Sequence, residues 1–198
     1  MIIYSNADQE ALDAYRTALD KNGYAGDYII QAFGTSELGG KLAAEGSAIE
    51  ADVITMSSYY IDSAQANSHM FADLAQVQST PLGTASPAWR APVQAQEGAI
   101  FYNTQVLANE GLPAPSSFKD LADPVYRGMV SVPDISGSST GRLMIQAIMD
   151  AYGDEESTEI LTGIYRNAGP HLSQSGSAPS RTCAPARWPS ALACATKP

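Results

Sequence analysis

The feature that most restricts the fold is a device that opens the chain and returns twice in its first third: an apolar run, a polar corner, then helical periodicity. Met1-Ile2-Ile3-Tyr4 is a run of strand formers that stops at Ser5-Asn6. Beyond it Ala11, Leu12, Tyr15, Ala18 and Leu19 fall on one side of a helical repeat, while Asp8, Glu10, Asp13, Arg16, Asp20 and Lys21 fall on the other. The spacing predicts a helix over 7–21 with one buried face. Asn6 is its expected N-cap, with Gln9 three residues on to return the bond.

Residues 28–33 repeat the pattern as a second strand, followed by Gly34-Thr35-Ser36 and a helix over 37–45 that Gly46 ends. Thr35 or Ser36 is the expected cap. Leu38, Leu42 and Ala43 are expected to face the sheet, and Gly39-Gly40 points to a close backbone approach. A third strand over 52–56 runs into Ser57-Ser58 and a helix that begins at Tyr59-Tyr60-Ile61. Crossovers this short predict a parallel α/β sheet, whose ligands bind at the carboxyl ends of the strands.

Residues 76–98 change character, with Pro81, Gly83, Pro87, Pro92 and Gly98 spread through a Ser/Ala/Gln-rich background that reads as a loop between lobes. After it come a strand over 99–102, an Asn103-Thr104 cap, a Ser117/Asp120 capping box and a strand over 129–132. Ser138-Ser139-Thr140, between Gly137 and Gly141, precedes a helix over 142–152 whose Leu143, Ile145, Ala147, Ile148, Met149 and Ala151 predict burial over much of its surface. A helix over 155–166 and a polar, turn-rich stretch over 167–180 follow. The expected organisation is a first lobe over 1–97, a partial second lobe over 98–180 and a poorly ordered tail over 181–198. That tail holds both cysteines, three basic residues and no acid, without a period of either regular structure.

A net charge of -10 makes a nucleic-acid backbone a poor partner, and no apolar run is long enough to span a membrane. It does not exclude a small anion, because helix amides oppose the global field locally. Four corners carry the binding chemistry: Ser5-Asn6, Thr35-Ser36, Ser57-Ser58 and Ser138-Ser139-Thr140, with Ser177 in the later cluster. A helix start presents unpaired N–H groups and about half a positive charge, and hydroxyls add donors without fixed charge. Such corners suit phosphate, phosphonate, sulfate or carboxylate, although Ser, Thr and Asn are also the ordinary caps. Tyr4, Tyr59 and Tyr60 are candidates to line a cleft, at least one of the adjacent pair being core.

Nothing nominates a catalyst, metal site or cofactor: His69 and His171 lie in no ligand pattern, and no nucleophile elbow or P-loop occurs.

Taken in order, Tyr4-Ser5-Asn6, Ser36-Glu37-Leu38-Gly39, Ala51-Asp52-Val53, Ala99-Ile100-Phe101-Tyr102-Asn103, Pro115-Ser116-Ser117-Phe118-Lys119-Asp120-Leu121 and Ser138-Ser139-Thr140 make the chain resemble a known family. Asn167-Ala168-Gly169-Pro170 and Ser175-Gly176-Ser177-Ala178-Pro179 close the matching region. The family is that of the periplasmic solute-binding proteins of ABC transporters, in the branch with the 2-aminoethylphosphonate-binding and ferric-ion-binding proteins. The resemblance implies two α/β lobes that close on a solute, location in the periplasm, delivery to an inner-membrane ABC permease, and no enzymatic activity. It assigns ligand contacts to Ser5, Asn6, Thr35, Ser36, the Ser57-Ser58 corner, Ser139, Thr140 and Ser177. The preferred solute is a small anion, 2-aminoethylphosphonate first; ferric ion, another oxyanion and a polyamine are the alternatives. Family members are longer and return to the first lobe, so a truncated chain with an incomplete second lobe is expected, and a nonfunctional fragment is a further alternative. The rival from another class is a small α/β hydrolytic or phosphotransfer enzyme using Asp134 and Ser139.

Overall fold

The computed structural model describes residues 1–74, 86–95, 97–183 and 192–197, the last six and Glu97 and Thr182 by their backbone. Residues 76–85 and 96 of the expected loop over 76–98 therefore lie outside the described residues. The chain divides into two compact units, Met1–Ala95 and Gln96–Lys197.

In the first unit, β1 (Ile2–Ser5) is the centre of a three-stranded sheet, with β2 (Ile29–Ala32) and β3 (Val53–Thr55) parallel to it on either side. The crossovers are α1 (Gln9–Leu19) and α2 (Thr35–Glu45), and α3 (Ser58–Ser68) leaves β3. The hydrophobic stripe read from the sequence sets the packing: Leu12, Leu38 and Leu42 are buried, with Ile3, Ile61 and Ala64. Ala43 is exposed, contrary to its expected place against the sheet. A Cβ on Gly39 would sit 3.0 Å from the Tyr60 ring, so this glycine lets α2 and α3 approach. Tyr4 is core rather than cleft: it is 2% exposed, its ring lies 4.7 Å from that of Phe33, and its hydroxyl donates to Glu50 Oε2 at 3.3 Å. Gly23, at φ +88°, closes the turn after α1.

In the second unit, the strand order is β4-β7-β5-β6, from β4 (Glu97–Tyr102), β7 (Leu192–Lys197), β5 (Val130–Pro133) and β6 (Leu172–Ser173). β5 runs parallel to β6 and β7, and β4 runs antiparallel to β7. Poor order is the expectation for 181–198, yet α7 (Ala178–Cys183) and β7 occupy part of that stretch. β7 lies between two strand edges whose N–H and C=O groups need partners, which composition does not reveal.

Helices α4 (Thr104–Glu110), α5 (Phe118–Leu121) and α6 (Ser139–Ala168) cover this sheet, and α6 breaks at Gly153, φ +72°, where two helices are read from the sequence. Val130, Val132, Ile148 and Ile164 are fully enclosed in a core with Leu107, Leu121, Tyr126, Met144, Ile160 and Ala168. The first half of α6 is less buried than its composition suggests. Met144 and Ile148 face the core, whereas Leu143 and Met149 are 41% and 37% exposed. Buried Asn167 ties the end of α6 back, its Nδ2 donating to Leu121 O at 2.9 Å and Asp123 O at 2.7 Å.

Candidate functional site

Strand order in the first unit fixes where chemistry can gather. The chain leaves β1 for β2 on one side and then crosses to β3 on the other, so the order reverses at β1, and it is at the carboxyl ends of strands flanking such a reversal that open α/β sheets bind ligands. Ser5, Asn6, Thr35, Ser36, Ser57 and Ser58 all stand at this one edge, because parallel strands end on the same side.

Hydrogen bonds tie these turns together. Asn6 N donates to Thr55 O at 3.2 Å, Phe33 N donates to Ser5 O at 2.9 Å, and Asn6 Nδ2 donates to Thr35 Oγ1 at 2.9 Å. Ser5 Oγ accepts from Ala7 N at 3.1 Å and from Thr55 Oγ1 at 2.6 Å. Ser5 is fully buried and Thr35 is 7% exposed, so Asn6, Ser36, Ser57 and Ser58 form the accessible part of the edge.

The caps differ from expectation in a way that bears on binding. The N-cap of α1 is Asp8, not Asn6, and Asn6 remains joined to the sheet through its main chain. The N-cap of α2 is Gly34, which has no side chain, so Thr35 and Ser36 are its first two residues rather than its caps. Ser57 is the N-cap of α3 but makes no side-chain cap bond, and neither does Asp8 on α1. No N-cap side chain therefore covers the first-turn amides of these three helices. Such amides, aided by the helix dipole, attract an anion. Tyr59, 49% exposed and edge-on to Tyr60 at 5.1 Å, adds an aromatic face beside Ser57-Ser58.

The second unit builds its corner differently. The Asp134 carboxylate accepts from Ser136 N and Oγ, both at 2.8 Å, and from Gln174 Nε2 at 2.8 Å. The bond from the Ser136 amide, foremost, holds this carboxyl below its ordinary range. Asp134 thus braces a turn, an unpromising start for the acid or base of the rival enzyme. Ser138 Oγ accepts from Gly141 N at 3.4 Å and caps α6, while Ser138 and Thr140 are buried and Ser139 is half-buried. A Cβ on Gly141 would meet Pro133 O at 3.0 Å and Asp134 C at 3.1 Å, and one on Gly176 would overlap Thr140 Oγ1. The 175–177 turn therefore lies against Thr140, with the Ser175 and Ser177 hydroxyls 3.2 Å apart. A recess elsewhere in this unit, of about 360 Å³ and lined by Phe101, Tyr102, Asn103, Thr104, Ser180 and Cys183, contains none of these residues, although Ser180 Oγ on its wall donates to Ser177 O at 2.7 Å.

Thr55 is the residue that the sequence does not single out. It reads as the fourth of five strand residues, and only the register that sets it opposite Ser5 reveals its bond.

Two α/β units with hydroxyl-rich turns at the carboxyl ends of parallel strands make the two-lobed fold of the periplasmic-binding-protein type. Residues 49–184 match the family of bacterial extracellular solute-binding proteins, and the chain belongs to that family. Membership classes it with extracellular solute-binding proteins rather than with enzymes. No curated protein matches it in sequence.

Its fold is shared with the periplasmic binding protein AfuA from Actinobacillus pleuropneumoniae with fructose-6-phosphate bound, at 19% identity and TM-score 0.79 over 99% of this chain and 63% of that one. Iron-bound HitA from Pseudomonas aeruginosa is similar at 18% identity and TM-score 0.75, over 100% of this chain and 62% of HitA. A periplasmic thiamin binding protein is similar at 18% identity and TM-score 0.75, over 99% and 61%. The chain thus spans less than two thirds of the length of these structures, and at these identities the likeness is one of fold. Among the described residues no helix is long and apolar enough to cross a membrane.

Proposed function

We propose that the protein is the solute receptor of an ABC importer, capturing a small solute through an oxyanion group and delivering it to an inner-membrane permease. The observation that carries this reading is the edge of the first unit, where three helices start without a bond from an N-cap side chain, beside Asn6 and Thr35. The candidate contacts in the first unit are Asn6, Ser36, Ser57 and Ser58, with buried Thr35 bonded behind Asn6; Ser139, Thr140 and Ser177 form a corner of the second unit taken by itself. Ser5 and Ser138, already committed to internal bonds, hold the turns in shape. The first solute to try is 2-aminoethylphosphonate, whose phosphonate suits the amides and whose ammonium suits the face of Tyr59. Fructose-6-phosphate, bound by similar AfuA, supports the wider class of phosphorus oxyanions better than it supports the phosphonate itself.

Ferric ion is the second reading, favoured by the likeness to iron-bound HitA and to the ferric binding protein of Campylobacter jejuni. It calls for anionic ligands, and among the described residues no three His, Cys, Asp or Glu side chains are grouped to hold a metal. Calorimetric titration with 2-aminoethylphosphonate, fructose-6-phosphate, phosphate, sulfate and ferric ion separates the readings. Saturable heat with a phosphorus oxyanion, lost in an N6A/T35A variant, is the expected result. Heat with ferric ion alone replaces this reading by the second, and heat with none overturns both.

A further inference from the structure

The turn from β1 into α1 is not fixed by a local cap, since the helix starts at Gln9 and its N-cap Asp8 makes no side-chain cap bond. It is fixed from across the sheet. Thr55, at the end of β3, accepts from Asn6 N through its carbonyl at 3.2 Å and donates from Oγ1 to Ser5 Oγ at 2.6 Å. Ser5 Oγ also accepts from Ala7 N at 3.1 Å. One residue of β3 thereby holds three successive residues of the turn: Ser5 by its hydroxyl, Asn6 by its carbonyl, and Ala7 by way of Ser5. Asn6 carries the tie on to Thr35 at the start of α2. A hydroxyl oxygen has two acceptor lone pairs, so the bonds from Thr55 and Ala7 use both on Ser5. Because Ser5 is fully buried, it relays position and does not meet a solute.

We propose that Thr55 is a positioning residue for solute capture: through the Thr55–Ser5–Ala7 relay its hydroxyl sets the turn that presents Asn6, and thereby sets affinity for an oxyanion. This rests on the oxyanion reading of the first unit's edge.

The test compares T55V, T55S, S5A and the T55V/S5A double variant with the parent chain. Affinity for 2-aminoethylphosphonate, fructose-6-phosphate and inorganic phosphate is measured by calorimetry, hydrogen exchange of the Ala7 amide by NMR, and the thermal midpoint alongside. Valine keeps the shape of threonine and suits a strand, so T55V removes the hydroxyl without removing the fold. The loss of one hydrogen bond predicts affinity about five- to tenfold weaker in T55V. T55S, which restores the hydroxyl, returns binding to within about twofold of the parent. The double variant binds no more weakly than S5A, because both changes cut one relay. Ala7 exchanges faster in T55V and S5A with no solute present.

A parent that binds and a T55V variant of equal affinity overturn this inference alone. A loss of affinity with unchanged Ala7 exchange, or with additive effects in the double variant, also overturns the relay. A parent that binds none of the three solutes overturns the oxyanion reading and this inference with it.

Discussion

The two units end their strands in the same kind of polar corner and finish the helices that follow in opposite ways. In the second unit every helix of its main covering layer is capped by a side chain: Asn103 accepts from Gln105 N and Val106 N, Ser117 from Asp120 N, and Ser138 from Gly141 N. In the first unit no N-cap side chain of α1, α2 or α3 makes a cap bond, although Glu37 Oε2 accepts from Gly34 N at 3.3 Å, and the polar residues at their starts bond across strands or face outward. A hydroxyl or amide can satisfy a helix end or a ligand, and the same residue types do the first in one unit and are left for the second in the other. The contrast extends to the interior. The second unit encloses a continuous apolar core beneath α6, whereas the first leaves Ile29 on β2 61% exposed.

That comparison can be broken at several points, beginning with the core. Ile164→Ala, at a fully buried position, is expected to cost about 2–5 kcal/mol in urea unfolding, through lost transfer energy and a cavity. Asn167→Ala strips the buried Leu121 carbonyl and the more accessible Asp123 carbonyl of their donor and is expected to cost about 1–3 kcal/mol by the same measurement. The cap contrast itself is sharpened by a matched pair. Ser117→Ala removes a working cap and lowers stability by about 1 kcal/mol. Ser57→Ala removes a hydroxyl that caps nothing, so stability changes by less than about 0.5 kcal/mol while solute affinity falls. Equal stability losses in the two variants would erase the distinction.

Acid should act on the second unit through Asp120 and Asp134, whose carboxyls are held below the ordinary 3.8 chiefly by hydrogen bonds from the Ser116 and Ser136 amides. A carboxyl with a lower pKa folded than unfolded binds fewer protons when folded. Its contribution is therefore complete above that ordinary value and is lost as pH falls toward the folded one. Unfolding midpoints of D134N followed downward from about pH 5 should decline less steeply than those of the parent. The smallest effect belongs to Lys119→Ala, which removes an exposed pair with Glu156 and should change stability by less than about 0.5 kcal/mol.

Much of the fold is legible in the sequence because its periods are strong. The strand–corner–helix device yields β1 to α3 in order, and the Ser117/Asp120 box forms as read. Local patterns fail where a distant partner decides. Asn6 has the right chemistry for a cap, but its main chain is claimed by Thr55 and its side chain by Thr35. Gly34 takes the capping place of α2 because an extended backbone there, at φ -67° and ψ 154°, needs no side chain to start a helix. Thr55 is invisible for the same reason, since nothing in a strand of five residues announces which of them faces Ser5. The corner of the second unit is legible as a hydroxyl cluster, while the tight seating of Gly141 and Gly176 that shapes it is a matter of packing.

Amide shift mapping of the labelled chain, titrated with 2-aminoethylphosphonate and with fructose-6-phosphate, bears most directly on the claim that helix starts without N-cap side-chain bonds form the solute edge. The largest shifts are predicted at Asn6, Ala7, Thr35, Ser36, Ser57 and Ser58. Shifts confined to the side-chain-capped starts of α4 and α5 or to the recess at Phe101 and Cys183, with the first-unit turns unmoved, would contradict it.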